Sequence, residues 1–111
     1  MNNGLPDGAI AQIRTVFSRH PEVEKAILYG SRAKGNFKPG SDVDLTLMGA
    51  DLTLEIMGQI QNELEDGLLP YRLDLSIFSQ ITHPDLIGHI QRVGAVFYER
   101  NSMVTGGEAM S

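Results

Sequence analysis

Lys25-Ala26-Ile27-Leu28-Tyr29-Gly30-Ser31-Arg32-Ala33-Lys34-Gly35 runs through Asn36-Phe37-Lys38-Pro39-Gly40 into Ser41-Asp42-Val43-Asp44-Leu45-Thr46-Leu47-Met48. Residues 25–29 are a short apolar run that stops at Gly30, the pattern of a buried strand. Residues 31–35 fit a short helix whose first turn follows directly on that strand, and residues 36–40 are rich in turn formers. From Asp42 to Met48 the pattern alternates: Val43, Leu45 and Leu47 point one way, Asp42, Asp44 and Thr46 the other. This predicts a second strand with an apolar back and an acidic front.

The same two periods extend over the rest of the chain. Ile10, Ile13, Val16 and Phe17 recur at helical spacing, predicting a helix over 6–19 with Pro6 in its first turn and His20-Pro21 as its stop. Leu52, Ile56, Ile60 and Leu64 step by four, predicting a helix over 52–66 with Asp51 as its cap and Gly67 and Pro70 beyond it. Residues 71–78 alternate again, with Leu73, Leu75 and Ile77 on one face and Arg72, Asp74 and Ser76 on the other. A helix over 84–93, opened near Pro84 and closed at Gly94, leads into a last strand over 95–98. The order implies an α/β (α+β) domain: a small mixed β-sheet with helices packed on the face that carries Val43, Leu45, Leu47, Leu73 and Leu75. Three carboxylates are then left on the opposite face.

With 111 residues the chain suits one domain, expected over 1–100, and residues 101–111 have the low apolar content of a flexible tail. No cysteine occurs, so disulfides, thiolate metal sites and a thiol nucleophile are excluded. No basic-then-apolar leader and no membrane-length apolar run is present, so a cytoplasmic protein is expected. Nine Lys and Arg against fourteen Asp and Glu give a formal charge of −5, which disfavours direct binding of long nucleic acid.

Asp42 and Asp44 share one side of a strand about 6–7 Å apart, and nothing nearby in sequence neutralises them. Asp74 is the middle polar residue of the next alternating strand. If those strands are neighbours, the three converge on a patch a few ångströms wide. Hard oxygen ligands of this kind suit Mg²⁺, which completes its shell with water and phosphate oxygens. Two such ions about 4 Å apart clamp the attacking and leaving oxygens of a phosphoryl-type displacement. Gly30 lets the backbone approach a ligand closely, and Ser31 begins a helix whose N–H groups, dipole and hydroxyl favour a phosphate. An anion turn beside an acidic metal site describes a nucleoside-triphosphate site. Arg32 and Lys34 follow the turn, and Arg32 is counted with Gly30 and Ser31 as nucleotide-binding. Ser41 reads as structural, and His20, His83 and His89 form no ligand spacing and are given no metal or base role.

Gly30-Ser31, ten residues, then Asp42-Val43-Asp44 resembles the signature of the nucleotidyltransferase superfamily related to DNA polymerase β. The fuller strings Tyr29 to Gly35 and Ser41 to Leu45 are similar to its small bacterial branch, the minimal nucleotidyltransferases, and the likeness extends over roughly residues 8–100. The resemblance implies that Asp42 and Asp44 bind both metals. It further implies that Asp74 binds one metal and helps deprotonate the acceptor, and that the Gly30-Ser31 turn holds the β- and γ-phosphates of ATP. It also implies a setting, because such proteins are commonly paired with a small all-helical HEPN toxin. There they act as antitoxin, in some cases by transferring AMP to a tyrosine of the partner. The leading expectation is therefore AMPylation of a partner protein. The alternatives are a small-molecule acceptor such as an aminoglycoside, and an antitoxin that silences its partner by contact alone.

Overall fold

The computed structural model describes residues 3–38 and 40–100; the tail expected over 101–111 lies outside them. The elements run α1 (Asp7–Ser18), β1 (Lys25–Tyr29), α2 (Ser31–Lys34), β2 (Val43–Met48), α3 (Leu54–Asp66), β3 (Leu73–Ile77), a 3₁₀ turn (Phe78–Gln80), α4 (Pro84–Val93) and β4 (Ala95–Glu99). The four strands form one sheet in the order β3-β2-β1-β4. β1 is antiparallel to both β2 and β4, whereas β2 and β3 are parallel, so the sheet is mixed as expected. A parallel pair cannot be joined by a tight hairpin. Here α3 makes the crossover between them.

The apolar face of the sheet presents Ala26, Leu28, Val43, Leu45, Leu47, Leu73, Ile77 and Phe97 to Ile13, Val16 and Phe17 of α1 and to Ile60 and Leu64 of α3. Leu75 is partly buried against the same cluster. Each fully buried aliphatic or Phe side chain contributes about 1.5–3 kcal/mol relative to exposure, and this layer is the main source of stability in a chain without disulfides.

Helix boundaries move by a residue or two from the periodic reading. α3 is capped by Thr53, whose hydroxyl accepts from the Ile56 N–H at 3.2 Å, and not by Asp51. Leu52 is buried ahead of the helix. β2 begins at Val43, leaving Asp42 on the loop that enters it.

α4 is packed against β1 with Gly94 at its end. A Cβ on Gly94 would lie 2.7 Å from Ile27 Cγ2 and 2.4 Å from the Ile90 carbonyl oxygen, so only glycine allows the chain to turn this closely from α4 into β4. Ile27 is registered with Thr46, and Tyr29 with Asp44. These residues share the face opposite Ala26 and Leu28. α4 therefore stands at the acidic side of β1.

Candidate active site

Parallel register places Asp44 directly beside Asp74, followed by Thr46 beside Ser76. Adjacent strands are about 4.8 Å apart, so the two carboxylates meet on the front of the sheet although thirty positions separate them in sequence. On the other flank Asp44 is registered with Tyr29, the residue before the Gly30 turn. Asp44 is half-buried, while Asp42 and Asp74 are exposed. Burial first, then the negative charges of Asp74 and Asp42, raise the Asp44 carboxyl above the ordinary Asp range.

Among the described residues, no group of three or more His, Asp or Glu side chains forms a ready-made metal cage. Asp42, Asp44 and Asp74 do not form such a cage by themselves. The donor set still fits Mg²⁺, which takes one or two carboxylates together with substrate phosphate oxygens and rarely an all-protein shell. The Asp44 carboxyl is raised first by burial, and the smaller part due to Asp74 and Asp42 is one that a cation would relieve.

Gly30 adopts φ 78° and ψ −157°, a region that side chains rarely enter. A Cβ there would lie 2.3 Å from Asp44 Oδ2. Glycine is therefore what allows the turn and the carboxylate to touch. The Lys34 N–H donates to the Gly30 carbonyl at 3.1 Å, and Gly35, at φ 86°, ends the helix. Because α2 is a single turn of four residues, its dipole is slight. An anion at Ser31 would have to be held by N–H groups and the hydroxyl.

Arg32 has partners other than the phosphate expected of it. It is 2% exposed. Its Nε and Nη2 donate to the Ser41 carbonyl at 3.2 and 2.8 Å, and Nη1 donates to the Asn3 carbonyl at 2.9 Å. The guanidinium also lies 5.3 Å from the ring centroids of both Phe37 and Tyr71. It ties α2 to the loop before Asp42, to the N-terminal segment and to the residues leading into β3. Ser41 is structural as expected, since its hydroxyl accepts from the Lys38 N–H at 2.9 Å.

Two neighbours of the acidic pair were not legible as such. The Gly30 N–H donates to His89 Nε2 at 3.1 Å, and the imidazole stands edge-on to Tyr29 with centroids 6.2 Å apart. The Tyr29 phenol is held above its usual pKa by burial, with smaller contributions from Asp44 and Asp74, against an opposing effect of the nearby Ser76 hydroxyl. Thr46 Oγ1 and Ser76 Oγ, two positions along the same face from Asp44 and Asp74, are buried. Beside Asp74, a cleft of roughly 340 Å³ opens between β3 and the end of α3, with Gln61, Glu65, Tyr71 and Arg72 on its walls. No helix among the described residues is long and apolar enough to cross a membrane.

Comparison with known proteins bears on the fold and the family. No curated protein sequence matches the chain. Its fold is similar to a chain of a toxin–antitoxin crystallised with AMP-PNP, at TM-score 0.65 and 20% identity over 86% of this chain and 74% of that one. It is similar also to a chain of the tri-AMPylated Shewanella oneidensis HEPN toxin in complex with its MNT antitoxin, at TM-score 0.61 and 17% identity over 82% and 70%. A candidate minimal nucleotidyltransferase aligns at TM-score 0.64 and 25% identity, covering 86% of this chain and 95% of its own. The family described as polymerase beta, nucleotidyltransferase matches residues 11–103. That span is well over half of the chain and holds the Gly30 turn and all three carboxylates, and the protein therefore belongs to the polymerase-β nucleotidyltransferase family.

Proposed function

We propose that this protein transfers AMP from ATP to a hydroxyl of a partner protein, and that the partner is a HEPN-type toxin for which it is the antitoxin. One observation carries the reading: Asp44 is paired with Asp74 across β2 and β3 and touches a turn that only glycine can form. Family membership supports nucleotidyl transfer. The likeness to chains of HEPN–MNT pairs supports the choice of partner.

Asp42 and Asp44 would hold Mg²⁺, with Asp74 completing the set, and the ion would supply neutralisation of phosphate charge. The Gly30-Ser31 turn orients the β- and γ-phosphates. Asp74, the most open of the paired carboxylates, accepts the proton of the acceptor hydroxyl. The acceptor oxygen then bonds to the α-phosphorus, the bond to the bridging oxygen breaks, and pyrophosphate leaves. Positioning and electrostatic complementarity supply most of the rate. Asp42 and Asp74 are exposed, so specificity would come from a docking surface wider than the reacting atoms, which suits a protein acceptor.

The test is intact-mass spectrometry after incubation with ATP, Mg²⁺ and the protein encoded beside this one. The partner should gain one or more AMP units, and none with Asp42→Asn. A modified aminoglycoside beside an unmodified partner refutes the protein acceptor. Tight association with no modification of either makes contact-only inhibition the better account.

A further inference from the structure

We infer that His89 is a positioning residue for the nucleotide turn: its Nε2 accepts the Gly30 N–H and fixes the turn before nucleotide arrives. The inference rests on the nucleotidyl-transfer reading above. A backbone N–H only donates, so the 3.1 Å contact requires a lone pair on Nε2 and places the ring proton on Nδ1. Gly30 has no side chain to hold it at φ 78° and ψ −157°, and glycine loses more conformational freedom on ordering than any other residue. Its conformation must be imposed from outside.

Three contacts impose it. The Lys34 N–H binds the Gly30 carbonyl, Asp44 Oδ2 fills the space where a Cβ would stand, and His89 takes the N–H. The first belongs to the helix that follows, and the second moves with whatever Asp44 binds. His89 is independent of both. It sits on α4, is held edge-on against Tyr29, and precedes Ile90, which is buried. α4 thereby ties the turn to the far end of the chain. With the turn already shaped, ATP does not have to order Gly30 when it binds, and ordering of this kind otherwise weakens affinity.

Two variants separate the acceptor from the ring. His89→Phe keeps an aromatic edge for Tyr29 and removes the lone pair, whereas His89→Gln offers a side-chain carbonyl in nearly the same place. His89→Phe should weaken binding of ATP with Mg²⁺ about tenfold, the scale of one lost hydrogen bond and one newly mobile residue. KM for ATP should rise with little change in kcat, and His89→Gln should recover most of the loss. The melting temperature of His89→Phe should fall by no more than several degrees, and that of His89→Gln by less. In ¹⁵N NMR of the wild-type protein, His89 should be the Nδ1–H tautomer and the Gly30 amide resonance should move in His89→Phe. An Nε2–H tautomer overturns the inference, as does His89→Phe with wild-type ATP affinity. Parallel losses of melting temperature and kcat in both variants also overturn it, since a purely structural role behaves so. If the wild-type chain binds no nucleotide, the transferase reading falls together with this one. Normal wild-type binding with an indifferent His89→Phe removes this one alone.

Discussion

Arg32→Met separates two roles for the only charged side chain that is fully buried among the described residues. Methionine keeps most of the stem volume and removes the guanidinium. Three hydrogen bonds from a charged donor are lost, two to Ser41 and one to Asn3, together with ring contacts at 5.3 Å to Phe37 and Tyr71. Hydrogen bonds to charged groups contribute about 1.5–3 kcal/mol each. Two of these share the Ser41 oxygen, so the three act as about two full bonds, or 3–6 kcal/mol by the same scale. Each cation–π contact adds about 0.5–2 kcal/mol. Against this, burial of the charge costs several kcal/mol that Met does not incur. The balance is a net loss of about 3 kcal/mol, a large part of the roughly 5–15 kcal/mol that stabilises an ordinary domain. It corresponds to a fall in melting temperature of about 10–20 °C. Urea unfolding followed by circular dichroism measures it directly as a lower midpoint. Arg32→Lys should recover less than half, because a compact ammonium cannot reach two separate carbonyls while lying flat between two rings. A wild-type urea midpoint with lost ATP affinity would refute this reasoning and return the guanidinium to the phosphates.

Asp44→Asn should abolish AMP transfer by several orders of magnitude while the metal-free protein melts no lower than wild type. The folded Asp44 carboxyl titrates above its unfolded value, so the native state holds its proton more tightly. Stability therefore falls as pH rises from the ordinary Asp range through the raised value, and the ionised group remains a cost at neutral pH. The variant should lose that part of the pH slope, and a lower melting temperature at neutral pH would contradict the assignment. Removal of metal gives a separate check. ATP and Mg²⁺ together should stabilise the fold more than either alone, by about 2.7 kcal/mol at a hundredfold excess over Kd, read as a higher melting temperature. Equal stabilisation by ATP in the presence of a chelator would eliminate metal-assisted binding.

Strands and their faces were readable because a side-chain period of two is local. Val43, Leu45 and Leu47 alternate with Asp44 and Thr46 whatever lies beside them, and the apolar set is buried as the alternation requires. The Gly30-Ser31 turn and the acidic strand were legible for the same reason, being short-range spacings with a chemical purpose. Helix ends were less so. Thr53 and Asp51 are both able caps, and the choice between them follows from where the chain enters α3, with Leu52 turned into the core.

Residue type and local period, read from the chain alone, are therefore enough to establish an α/β domain, its apolar and acidic faces and its candidate carboxylates. They say nothing of partners far away in sequence. Strand order and register put Asp44 beside Asp74 and Tyr29, and folding alone brings His89 to Gly30 across 59 positions. Arg32 follows an anion turn in sequence, but three carbonyl contacts and two aromatic faces from other segments draw its guanidinium inward. A charge goes where its hydrogen bonds are best satisfied, and that depends on which segments meet in space.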